Sequence, residues 1–118
     1  IVGEGIQANP LCLTGQGLFV FGVYDITLGR YLDFADFISF CSANDLQTVP
    51  ILHDSFILDS TVSGLLEMAE GKSVLNHEAE REGIVLRPLT ETTYTVRCET
   101  RRLSFKAISN AYLLKEKD

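Results

Sequence analysis

The chain has 118 residues, 46% of them hydrophobic, which suits one folded domain or part of one and excludes a disordered polymer. Its formal net charge of −6 argues against a stand-alone polynucleotide binder, because phosphate contacts supply most of such a protein's affinity. No apolar run approaches the roughly 20 residues needed to cross a bilayer, and no charged segment leads into a secretory apolar run. Cys12, Cys41 and Cys98 are scattered and odd in number, which predicts reduced thiols and a cytoplasmic setting rather than a disulfide framework. No Cys/His spacing matches a zinc site, and His53 and His77 lie far apart. The chain starts at Ile1 and its one methionine is Met68, so it reads as a fragment or processed product.

Residues 1–17, IVGEGIQANPLCLTGQG, read as a strand end followed by a glycine-rich loop. LFVFGVYDI, Leu18 to Ile26, is almost continuously apolar and rich in aromatic and β-branched residues, which predicts a strand buried on both faces. Gly22 in its middle suggests a bulge or a close backbone approach. In DFADFISFCSAND, Asp33 can cap a helix whose stripe is Phe34, Phe37, Ile38 and Cys41. TVPIL, Thr48 to Leu52, reads as a short strand that Pro50 confines to an edge or a strand start.

LDSTVSGLLEMAEGK predicts a second amphipathic helix with Leu58, Val62, Leu65, Leu66 and Ala69 in line. Asp59 or Ser60 can cap its start and Gly71 can close it at C′. After the polar loop SVLNHEAER, the runs GIVLRP, YTVRCE and RLSFKAI follow in quick succession and predict an antiparallel meander. ISNAYLLKEKD adds a last helical turn and a charged tail. This order of elements predicts an α+β fold, with helices packed on an antiparallel sheet.

Four segments in order, GEGIQANP, FVFGVYD, EGIVLRP and SFKAISNAYLLK, resemble motifs of the covalent nucleotidyltransferases, the superfamily of polynucleotide ligases and RNA capping enzymes. The ATP-dependent RNA ligases are the most similar branch, and the resemblance runs from Gly3 to Lys115. It implies the adenylation fold and ATP and Mg²⁺ as cofactors. It further implies that a lysine takes AMP from ATP, that AMP passes to a 5′-phosphate RNA end, and that a 3′-hydroxyl then seals the strand. Such phosphoryl transfers depend on positioning and on cations that offset developing negative charge.

Phe21 matches the aromatic residue that stacks on adenine in the resemblance, and Phe19, which shares its strand face, is the competing core phenylalanine. Glu82 matches the carboxylate that holds the divalent metal at the reacting phosphate. Without the resemblance the cluster reads as a solvated Glu82–Arg81 or Glu80–Arg87 ion pair, worth little. Lys106 matches a lysine that contacts the nucleotide phosphate; by alternation it shares a face with Ser104, and its bland reading is an edge-strand lysine. Glu4, in Gly3-Glu4, is one candidate for the ribose-binding Gly-Glu pair, the other being a pair before Ile1. Arg87, Gln7 and Asn9 accompany the motifs, and Arg87 joins the nucleotide-binding set. The sequence departs from the family pattern at Gly22, where an acid is common, and at Ile108, where some members have a second lysine.

The nucleophile of the family sits in a Lys-x-Asp-Gly motif, and no such string occurs in these 118 residues. The expectation is therefore a single partial domain over 1–118, the back half of an adenylyltransferase domain, inactive alone. Its expected partners are RNA ends, no membrane, and either a second copy of itself or the missing N-terminal segment. The competing expectation is a non-catalytic remnant that binds nucleotide or self-associates.

Overall fold

A computed structural model describes residues 1–58 and 61–116. In chain order its elements are β1 (Val2–Gly3), β2 (Gln16–Gly17), β3 (Tyr24–Asp25), β4 (Arg30–Tyr31), α1 (Phe34–Ala43), α2 (Val62–Ala69), β5 (Gly83–Leu86), β6 (Thr93–Val96), β7 (Glu99–Arg102), β8 (Phe105–Ile108) and α3 (Asn110–Glu116). This is an α+β protein whose β1–β2, β3–β4 and β6–β7 pairs are antiparallel. No helix among the described residues is long and apolar enough to cross a membrane. Two compact units are present: Ile1–Leu18 with Ser55–Val85 and Lys106–Asp118, and Phe19–Asp54 with Leu86–Phe105.

In the first unit, β1 meets β2 so closely that a Cβ on Gly3 would stand 2.1 Å from the Gly15 carbonyl oxygen. The loop between them turns through Gln7, Ala8 and Asn9, all at positive φ (46°, 60° and 49°). Such left-handed residues cost about 1–2 kcal/mol each, so something must hold them. Asn9 does part of this, since its side chain donates to the Leu13 carbonyl (2.8 Å) and accepts from the Leu13 N–H (3.0 Å). Asn76, 65 residues further along the chain, adds a clasp by donating to the Leu11 carbonyl at 2.8 Å.

Helix α2 starts at Thr61, whose hydroxyl accepts from the Gly64 N–H at 3.2 Å. The sequence candidates Asp59 and Ser60 lie outside the described residues. Gly71 stands at C′, one residue past the C-cap, but its φ of +129° is far from the left-handed value of about +57° of a glycine closure; the helix leaves instead through an extended Glu70 (φ −74°, ψ 154°), which corrects the C′ expectation. The stripe is only half buried. Ala69 is fully enclosed, whereas Val62 is 75% and Leu58 55% exposed, which corrects the expectation of a continuous buried face.

The second unit is built around α1, which buries Phe37 and Cys41, with Phe34 and Ile38 half-buried beside them as the stripe predicts. Asp33 occupies the N-cap position, but its side chain does not cap the helix. It accepts instead from the Glu91 N–H at 2.7 Å, tying the helix start to a distant loop. Tyr24 and Tyr31 meet edge to face across β3–β4, and the Arg102 guanidinium lies 3.9 Å over the Tyr31 ring. Arg102 also grips Glu91 with two hydrogen bonds, at 2.5 and 3.1 Å.

Three strand expectations are corrected. The run Leu18–Ile26 is not a continuous buried strand. Only Val20 bridges to Thr48 and Tyr24–Asp25 pair with β4, while Phe21 is 64% and Ile26 89% exposed. TVPIL contributes that single bridge at Thr48 and no strand. In both cases composition permits extended backbone, but a strand needs a neighbour to receive its N–H and C=O groups. The C-terminal runs form four strands and not a three-stranded meander: β6 pairs with β7, and β5 pairs with β8. The run YTVRCE is not one strand but crosses the β6–β7 turn. Arg97 and Cys98 both have positive φ (50° and 65°), the signature of a two-residue type I′ hairpin. Neither is the Asn or Gly that normally marks such a turn.

Candidate functional site

Within the first unit the charges of EREGIVLRP separate into distinct attachments. Glu80 pairs with Lys72 at 2.5 Å. Arg81 turns to the end of α2, donating through Nε to the Ala69 carbonyl (3.1 Å) and through Nη2 to those of Met68 and Glu70 (2.6 Å each). A helix end leaves its last carbonyls without intrahelical donors and carries partial negative charge, so a guanidinium suits it. Glu82 pairs with Lys106, Nζ to Oε1 2.8 Å. The bland pairings Glu82–Arg81 and Glu80–Arg87 are therefore not the ones formed.

The Glu82–Lys106 geometry follows from the β5–β8 pairing. Glu82 immediately precedes β5 and Lys106 is the second residue of β8. The Ser109 N–H donates to the Glu82 carbonyl at 2.7 Å, and the buried Ser109 hydroxyl accepts from the Tyr112 N–H at 3.3 Å, so one residue anchors both Glu82 and the start of α3. Sequence reasoning passed over Ser109, although a serine just before a helical run is a standard N-cap signal. Gly83 permits the approach, since a Cβ there would lie 2.1 Å from the Ala107 carbonyl oxygen.

Both side chains of the pair are half exposed, 53% for Lys106 and 52% for Glu82. An exposed pair of this kind contributes about 0–1 kcal/mol, so exchanging one partner for a ligand group costs little stability. The resemblance implies a divalent cation here. Glu82 already holds a cation, the Lys106 ammonium, and its carboxylate is open to solvent. Among the described residues no group of three or more His, Cys, Asp or Glu side chains could hold a metal. A lone carboxylate fits a Mg²⁺-type ion, which takes one or two carboxylates and completes its shell with water and phosphate oxygens.

Glu4 belongs to the same unit. Its N–H donates to the Gly15 carbonyl and its own carbonyl accepts from Gln16 Nε2, each at 2.8 Å, leaving the residue exposed. No hydrogen bond among the described residues joins it to Glu82 or Lys106. Among the described residues of this unit, a cavity of about 40 Å³ lies within the Ile1–Leu11 loop and one of about 220 Å³ between Pro10, Glu80, Tyr112 and Lys115. Neither includes Glu82 or Lys106.

Phe21 and Arg87 come together in the second unit. Arg87 Nη1 donates to the Phe21 carbonyl at 2.8 Å, and Arg87 Nε reaches Ser104 Oγ at 3.3 Å. The guanidinium of Arg87 is held below its ordinary pKa, first by desolvation and then by repulsion from Arg102. The contact fixes the backbone that carries Phe21 while its ring stays exposed, so Phe21 is not the core phenylalanine that strand alternation allowed; Phe19 is the more buried of the two. Gly22 is not demanded by a close approach: an added Cβ would meet Arg102 and Tyr31 at 3.5–3.6 Å, ordinary contact distances.

The RNA ligase family profile matches residues 1–108. Among solved structures the chain is similar to Naegleria gruberi RNA ligase with PPi, at 40% identity and TM-score 0.79 over 99% of this chain and 33% of that one. A point mutant of the Naegleria gruberi enzyme with ATP and Mn matches at 38% identity and TM-score 0.76, over 98% of this chain and 32% of that one. Another mutant, with AMP and Mn, matches at 37% identity and TM-score 0.73 over the same shares. The chain thus spans about a third of the length of these relatives. No curated protein sequence matches it. The family match over most of the chain, with the likeness to an RNA ligase along nearly all of it, makes this chain a member of the RNA ligase family.

Proposed function

We propose that this chain is the C-terminal part of the adenylyltransferase domain of an ATP-dependent RNA ligase, acting on RNA ends through lysyl-AMP and AMP-capped RNA. The observation that carries the reading is the Glu82–Lys106 pair, a carboxylate and an ammonium 2.8 Å apart and both open to solvent, on the two motifs that match the family. Family membership supports it, as do the relatives solved with ATP and Mn, AMP and Mn, and PPi.

Lys106 serves as a point charge for a nucleotide phosphate. Glu82, whose carboxylate is open to solvent beside Lys106, would hold a divalent cation. A cation at Glu82 supplies charge that offsets the negative charge developing on the reacting phosphate. Phe21 offers a planar face to the adenine, a contact worth about 1–3 kcal/mol, and Arg87 keeps the Phe21 backbone in place. Glu4 binds the ribose. None of these residues makes the attack on ATP. That role falls to a lysine in a Lys-x-Asp-Gly motif, which these 118 residues lack.

The test is incubation with labelled ATP and Mg²⁺. The 118-residue chain alone is expected to form no covalent, alkali-stable and acid-labile lysyl-AMP adduct. A protein that joins it to a preceding Lys-x-Asp-Gly segment is expected to form one, and Glu82→Ala is expected to reduce that adduct at least a hundredfold, the scale of several kcal/mol of metal-borne charge stabilisation. Labelling of the 118-residue chain by itself overturns the assignment of the nucleophile, and a silent Glu82→Ala overturns the role of Glu82.

A further inference from the structure

The hairpin β6–β7 is unusual in this acidic chain. Every residue from Thr92 to Arg101 is exposed, on both faces of the ribbon. The segment 86–105 carries four arginines, Arg87, Arg97, Arg101 and Arg102, against two glutamates, Glu91 and Glu99, while the chain as a whole has net charge −6. The register sorts the side chains. Thr93↔Arg102 and Thr95↔Thr100 lie on one face, and Tyr94↔Arg101 and Val96↔Glu99 on the other. Arg102 is drawn to Glu91 and Tyr31, so the first face turns toward the rest of the unit. The opposite face presents Tyr94, 42% exposed, beside Arg101, 62% exposed, with Arg97 at the turn.

A two-stranded hairpin that packs so little of its surface is marginal in water by itself, and a ligand on its open face would stabilise it. We propose that the Tyr94–Arg101 face of this hairpin, with Arg97 at its tip, binds a single-stranded stretch of the RNA substrate. The inference rests on the RNA ligase reading and adds to it the surface that receives the strand. On this face and its tip two arginines, Arg97 and Arg101, stand against one carboxylate, Glu99, a positive balance in a chain of net charge −6 that favours a polyanion, and an exposed tyrosine beside an arginine is the combination that stacks a base while meeting the adjoining phosphate. Glu99 pairs with Arg101 at 2.7 Å and holds the guanidinium in the absence of RNA, so it works against the same surface.

The experiment measures binding of a fluorescent 5′-phosphorylated single-stranded RNA by anisotropy, over a range of KCl concentrations, to the protein as its gene encodes it. Tyr94→Ala is expected to weaken binding about tenfold, the scale of one lost base stack. Arg101→Ala is expected to lower the slope of log affinity against log salt by about 0.7, one single-strand phosphate contact. Glu99→Gln is expected to tighten binding, an effect that damage to the fold would not produce. Unchanged affinity in all three overturns the proposal. So does a pattern in which the substitutions shift melting temperature or molecular mass without changing RNA affinity, since the hairpin then packs against protein or a second copy. Lysyl-AMP formation by the unsubstituted protein reads the ligase assignment separately. If it forms while the three variants bind RNA normally, the RNA surface alone is lost; if it does not form, the ligase reading itself is lost.

Discussion

At Gly83 the backbone of β5 passes so close to β8 that the smallest added side-chain atom would stand 2.1 Å from the Ala107 carbonyl oxygen. The φ of Gly83 is not the issue; the missing Cβ is. Gly83→Ala is expected to force the two strands apart, lower unfolding free energy by about 1–3 kcal/mol in urea titration, and separate Glu82 from Lys106. A variant as stable as the parent would mean that the strand pair has slack the geometry does not show. At this scale the sequence was legible for residue types: Glu82 and Lys106 stood out as a carboxylate and an ammonium in matching motifs. It was not legible for partners. Arg81 looked like half of a surface ion pair, yet it caps α2, because the helix end that attracts it lies ten or more residues away in the chain.

Among elements, helices were easier to read than strands. The period of 3.6 in Phe34, Phe37, Ile38 and Cys41 is a local property, and α1 forms where it predicts. The hairpin was missed because its turn, Arg97–Cys98, lacks the residues that favour left-handed backbone. That strain is a handle. Replacing the pair by Asn-Gly is expected to relieve about 1 kcal/mol and raise the melting temperature by roughly 4 °C in a calorimetric scan. No gain would mean that side-chain contacts at the tip already offset the strain.

Over the whole molecule, the described residues leave many apolar side chains in water. Among them Ile26 is 89%, Ile57 78%, Val62 75% and Phe21 64% exposed. Buried hydrophobic residues among those described are Phe37, Cys41, Ala69 and Ala79. Exposed apolar surface on this scale drives association, and a two-fold dimer is the commonest closed form. The isolated 118-residue chain is expected to show a mass that rises with concentration above 13.1 kDa in light scattering. A constant monomer mass at high concentration would mean that these side chains tolerate water, and the pairing of copies would be refuted.

The sequence by itself determined the α+β class, the helix α1, membership of the RNA ligase family, and the lack of a Lys-x-Asp-Gly string within the chain. Each of these is a matter of local periodicity or residue identity. Tertiary structure alone decided that β5 pairs with β8 and not with its neighbour in sequence, that Leu18–Ile26 is mostly unpaired, and that Glu82 meets Lys106. The physical reason is that alternation and β-branched composition state that a segment can be extended. Which other segment receives its hydrogen bonds depends on contacts distant in sequence, and no local pattern records them.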